Sequence, residues 1–104
     1  MPARILAAGL IPVIAILGTL AEPLARADAA ADNTFTTALT AKGIKFASPE
    51  SAIIAGHEVC DELGLGRTTA QVATDVTKNS NLDGYHAGYF VGLSVATYCP
   101  QHAS

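Results

Sequence analysis

Two cysteines, Cys60 and Cys99, constrain this chain more than any other feature. Their meaning depends on the compartment. In an oxidising one, an even cysteine count in a small domain reads as a disulfide, and two cysteines allow one intramolecular pairing. The partners are 99 − 60 = 39 positions apart. Closing such a loop stabilises a fold by roughly 4 kcal/mol in the chain-entropy description. A domain of this size is stable by only about 5–10 kcal/mol in total, because small domains bury little surface. The bridge also restricts topology, because its Cα atoms must come within about 7 Å.

The compartment is read from the N-terminus. Arg4 supplies a short positive segment, and Ile5 to Leu20 is apolar and uncharged. Ala25-Arg26-Ala27 then fits the small-x-small pattern of a signal-peptidase site, with Ala27-Asp28-Ala29 as a second choice. Residues 1–27 therefore read as a secretory signal peptide, and residues 28–104 as one small domain. The competing reading is an uncleaved anchor. The run is short for a spanning helix, which needs about 20 apolar residues, and Pro12 and Gly18 interrupt it. No twin-arginine pair precedes it, which favours general secretion. The expected location is secreted or extracytoplasmic, in the cell envelope or the medium, with no membrane span after cleavage.

From Asp28 onward, four Lys and Arg stand against eight Asp and Glu, giving 4 − 8 = −4. An acidic surface without a basic stripe repels nucleic-acid phosphates and anionic lipid heads. Nucleic acid is excluded as a partner on this ground.

Beyond the leader the chain reads as all-α, a small bundle of three to four helices. Asp32 or Asn33 can cap a first helix that presents Phe35 and Leu39 on one face and stops at Gly43. Ser48 caps a second helix, with Pro49 at its first position and Glu50 at its positive end. Ala52, Ala55, Gly56, Val59, Cys60 and Leu63 then form one apolar stripe, and Gly64 ends it. Thr68 or Thr69 caps a third helix with Val72 and Val76 inward. Asn81 can cap a fourth, running from about Leu82 to Tyr98 and stopping before Pro100. In this helix Gly84, Gly88, Gly92 and Ala96 recur every four residues. Glycine costs about 1 kcal/mol per residue within a helix, so a close-packing seam against Ala52, Ala55 and Gly56 is expected to offset it. A Cys60–Cys99 bridge would tie the second and fourth helices at their C-terminal ends. An up-down-up path through helices two to four brings those ends together.

"GHEVCDEL" followed by "FVGLSVATYCP" resembles the small secreted proteins grouped as domain of unknown function 732, found mainly in mycobacteria and related actinobacteria. The resemblance rests on Phe35, Leu39, Gly43 and Ile44, then Gly56, Val59, Cys60 and Leu63, then Val72, Phe90, Tyr98, Cys99 and Pro100. It covers Asp32 to about Gln101. It supports export, a helical fold and the disulfide, and it implies no reaction.

Two stretches carry residue types capable of chemistry. His57, Cys60 and Asp61 share a helix face, but a zinc site needs three or four ligands and "HEVCD" lacks a second histidine. No metal is therefore expected, and Glu58, Asp61 and Glu62 read as a solvated helix end. "DGYHAGYF" gathers Tyr85, His86 and Tyr89, the candidate ligand-binding residues, because Tyr and His can serve as axial haem ligands. Against this, Tyr89 and Phe90 fit a core and His86 a rim. Ser51, Ser80 and Ser94 lack a G-x-S-x-G context. No base, nucleophile and oxyanion donor assemble, so no enzyme and no resident cofactor are expected. The favoured function is a non-enzymatic binding or interaction module for an unidentified protein or envelope component. The alternative is a carrier for haem or a small apolar ligand.

Overall fold

The computed structural model describes residues 28–103; the leader assigned to residues 1–27 lies outside them. From residue 31 onward the chain forms one compact unit. Four helices make it: α1 (28–41), α2 (Pro49–Gly64), α3 (Thr69–Asn79) and α4 (Gly84–Tyr98). A single 3₁₀ turn, Pro100–His102, follows α4. Among the described residues there is no strand, and no helix is long and apolar enough to cross a membrane.

Local signals place most of the helix ends. Ser48 caps α2 through a reciprocal pair: its hydroxyl accepts the Ser51 N–H, and the Ser51 hydroxyl accepts the Ser48 N–H, both at 3.1 Å. Thr68 and Gln71 repeat the device at α3. Such caps satisfy N–H groups that the first helical turn leaves free. Gly43 closes α1 at φ +79. There the Ile44 N–H reaches back to the Leu39 carbonyl at 2.9 Å. This left-handed stop folds Ile44 onto Leu39, and both side chains are buried.

Two expected boundaries are corrected, and the stop of the second helix at Gly64 holds. Asp32 and Asn33 lie inside α1, which is already helical at residue 28, so neither caps it. The left-handed residue after α2 is Gly66 (φ +94), while Gly64 is the last helical residue. The fourth helix is capped by Asp83, whose carboxylate accepts the His86 N–H at 2.8 Å. Asn81 lies in the bend before it.

The core is assembled around α4, which packs on both α2 and α3. Phe35, Leu39 and Ile44 meet Ala52, Val59 and Leu63 of α2, Val72 of α3, and Phe90, Val91 and Val95 of α4. A run of aromatic contacts threads it, with Phe35 lying 6.0 Å from Phe90 and 5.1 Å from Tyr98 between ring centroids. Cys60 and Cys99 form the expected bridge, with Cα atoms 5.9 Å apart.

The small-residue stripe of α4 is not the seam. Gly84, Gly88, Gly92 and Ala96 are exposed, and a Cβ on any of the three glycines would meet nothing within 4 Å. The buried face is instead Ala87, Phe90, Val91, Ser94 and Val95. Both stripes have helical period. Burial selects the one whose large side chains remove more apolar area from water. Close approach occurs only at Gly56, where a Cβ would sit 2.8 Å from Phe35 Cζ and 3.0 Å from Tyr98 Cε2. Gly88→Ala combined with Gly92→Ala is therefore expected to stabilise the fold by about 1–2 kcal/mol, seen as a higher Tm. Gly56→Ala is expected to lower it.

Candidate functional site

A cleft of about 370 Å³ opens where α2, α3 and the start of α4 converge. Its walls are Ala55 and Val59 from α2, Val72 and Val76 from α3, and Phe46, Leu82 and Phe90 from the segments around them. Val59, Val72 and Phe90 are core residues, so the floor of the cleft is the outer surface of the core itself. The rim is polar: Glu58 and Glu62 stand on α2, and Asp75, Asn79 and Ser80 on α3.

One cation reaches this rim. The Arg67 guanidinium pairs with Asp75 at 2.5 Å and with Glu62 at 3.3 Å. The turn after α2 explains its position. Gly66 is left-handed, so the Arg67 N–H returns to the Glu62 carbonyl at 3.3 Å. That places the side chain beside the Glu62 carboxylate and across from α3. The pairs are half-exposed and contribute little stability, but they fix the spacing of the acidic groups.

A second groove, about 440 Å³, lies between α3 and α4. Thr69, Ala70, Ala73, Gly88, Gly92 and Ala96 line it together with valines, and no charged side chain does. The small-residue stripe thus forms the wall of a shallow, neutral trough.

The sequence-selected residues are distributed as follows. Tyr85 is 64 % exposed, and His86 holds Asp83 through Nδ1 at 2.8 Å. The Lys42 ammonium lies 5.3 Å from the Tyr85 ring centre and 4.8 Å from that of Tyr89. The two tyrosines therefore clasp a cation of their own chain and fasten the end of α1 to α4. None of the three lines either cleft. A haem needs an apolar slot with its axial ligand aimed inward, and these residues do not provide one. The three serines are engaged by backbone. Ser51 belongs to the α2 cap, Ser80 donates to the Val76 carbonyl, and the buried Ser94 donates to Phe90 at 2.7 Å. Among the described residues no three His, Cys, Asp or Glu side chains converge as a metal set.

His57 does have a partner. Its ring stacks on Tyr98 with centroids 4.0 Å apart. The Tyr98 hydroxyl donates to Asp32 of α1 at 2.6 Å across 66 positions of sequence. Burial first, and then the hydrogen bond to the Asp32 carboxylate, push the Tyr98 phenol above its usual value of 10.0. A group whose pKa is higher in the folded state stabilises fully below its unfolded value and loses that contribution as pH rises. Stability is therefore expected to fall above about pH 10, and Tyr98→Phe should flatten that decline in urea titrations across alkaline pH.

Sequence reasoning assigned Glu58 and Glu62 to a wet helix end and missed the cleft. The available signal was their one-turn spacing beside the Ala55–Val59 edge of the apolar stripe. The contribution of Asp75 and Leu82 had no local signal, because α3 and the α3–α4 link reach the cleft only through tertiary packing. The Asp32–Tyr98 pair was equally invisible.

Fold and site together define a small, disulfide-tied helical domain with an acidic-rimmed apolar cleft. Residues 28–101 match the family described as "Protein of unknown function (DUF732)". The chain belongs to that family, as its sequence resemblance indicated. It is 37 % identical over 73 residues to uncharacterized proteins of Mycobacterium bovis and of two strains of Mycobacterium tuberculosis. The match covers 70 % of this chain and 65 % of each relative. No solved structure matches it.

Proposed function

We propose that this protein is an exported, non-enzymatic binding module that takes a partner protein or envelope component into the α2–α3–α4 cleft. One observation carries the reading: half-buried apolar side chains, Phe46, Ala55, Val76 and Leu82, face an open cleft inside a polar rim. Grooves of this build take up apolar side chains of a partner. The Ser80 hydroxyl beside the cleft and the disulfide cysteines are committed to structure, which favours a binding surface over a nucleophilic site. The leader-like N-terminus supports delivery outside the cytoplasm, where the bridge would form.

Cross-linking in the producing organism tests it. The exported protein should begin near Asp28 by N-terminal sequencing, and one specific cross-linked species should disappear when Ala55→Leu fills the cleft. Circular dichroism melts of the variant would confirm that it folds. A cell-retained chain starting at Met1 would overturn export. A cross-linking pattern unchanged by Ala55→Leu would overturn the cleft as the binding face.

A further inference from the structure

We infer that the occupant of the cleft is a cationic amphipathic helix of a partner protein. The inference rests on the binding-module reading and adds the chemistry of the partner. The apolar floor asks for aliphatic or aromatic side chains, and the rim decides what flanks them. Three carboxylates, Glu58, Glu62 and Asp75, border the cleft, and no Lys or Arg side chain lines it. Arg67 alone compensates them, bridging Glu62 and Asp75 from one end. Three negative groups against one positive leave the rim acidic by two charges. Glu58 is exposed and pairs with no cation among the described residues.

The arrangement of these groups favours a helix. Glu58 and Glu62 are one helical turn apart on α2, so their side chains stand on one side of the trough about 5–6 Å apart. Asp75 faces them from α3. Basic residues one turn apart on an incoming helix would meet the two glutamates in register, with its apolar stripe lying on Val76, Leu82 and Ala55. The negative charge of the mature chain extends the same field outward and repels anionic lipid or nucleic acid. A neutral apolar ligand would cover the floor but would not use the rim.

The test uses the exported, oxidised protein and three labelled amphipathic peptides with identical leucine faces. They carry lysine, glutamine or glutamate along the borders of that face. Fluorescence anisotropy at low and raised salt should show the lysine peptide binding about tenfold more tightly than the glutamine peptide, with the advantage shrinking as salt rises. The glutamate peptide should not bind. Glu58→Lys should weaken the lysine peptide about fivefold or more, Glu58→Gln by less, and Ala55→Leu should abolish binding. Equal affinity for the lysine and glutamine peptides would overturn the cationic partner and leave the binding module standing. Lysine-peptide binding that survives Ala55→Leu would show charge attraction outside the cleft and would also overturn the inference. Failure of all three peptides to bind would overturn the helical partner, while the cross-linking experiment would still judge the binding module on its own.

Discussion

Phe35→Ala is expected to destabilise the domain by about 3–5 kcal/mol, seen as a large drop in the urea midpoint at 25 °C. Phe35 is fully buried. Its ring meets Phe90 and Tyr98 of α4 and fills the space that Gly56 of α2 leaves open. Truncation would leave a void at the junction of three helices. The total stability of a domain this small is about 5–10 kcal/mol, so one side chain accounts for a large share. Leu39→Ala, in the same helix and also buried, should cost about 2–4 kcal/mol and retain a measurable transition. A loss below about 1 kcal/mol for Phe35→Ala would mean that α1 is not integral to the core.

Reduction of the Cys60–Cys99 bridge is the second large effect. The loop that it closes spans 39 positions and contains all of α3 and α4. Opening it should release about 4 kcal/mol, read as a Tm drop of tens of degrees in a domain of this length. Cys99 is buried at the end of α4, so a lone thiol there would also lose packing. The double variant Cys60→Ala, Cys99→Ala separates the two contributions, because alanine removes the cross-link without leaving a polar group. The melt with reductant should fall toward the curve of that variant, while the melt without reductant should stay well above both. Coincident oxidised and reduced melts would show that the bridge contributes nothing to the equilibrium.

Much of the fold could be read from sequence because its determinants are local. Ser48, Thr68 and Gly43 act within a few residues of themselves, and each does in the structure what its type predicts. The apolar stripe of α2 and the cysteine pair were legible for the same reason, since period and parity need no partner. The errors fall where two local readings were equally good. Asp32 reads as a cap, yet its carboxylate serves Tyr98 at the far end of the chain. In α4 two stripes share a period, and only the presence of Phe35 and Val59 opposite decides which is buried. The candidate site was least legible. Its apolar walls come from five segments, and its rim from charges whose sequence context suggests nothing beyond solvent exposure.

The covalent bridge also divides the protein as a polymer. Residues 60 to 99 form a closed ring, while α1 and most of α2 hang from it as an open arm. Tension or exchange entering from the N-terminus therefore acts on the arm alone. The Asp32–Tyr98 hydrogen bond and the Lys42 clasp are the polar fastenings along α1. Peeling α1 away would uncover Phe90 and Tyr98 without breaking the ring. Hydrogen exchange should accordingly report two tiers, a weaker one across residues 31–46 and a stronger one within the ring. The domain behaves mechanically as a reinforced loop carrying a detachable strap.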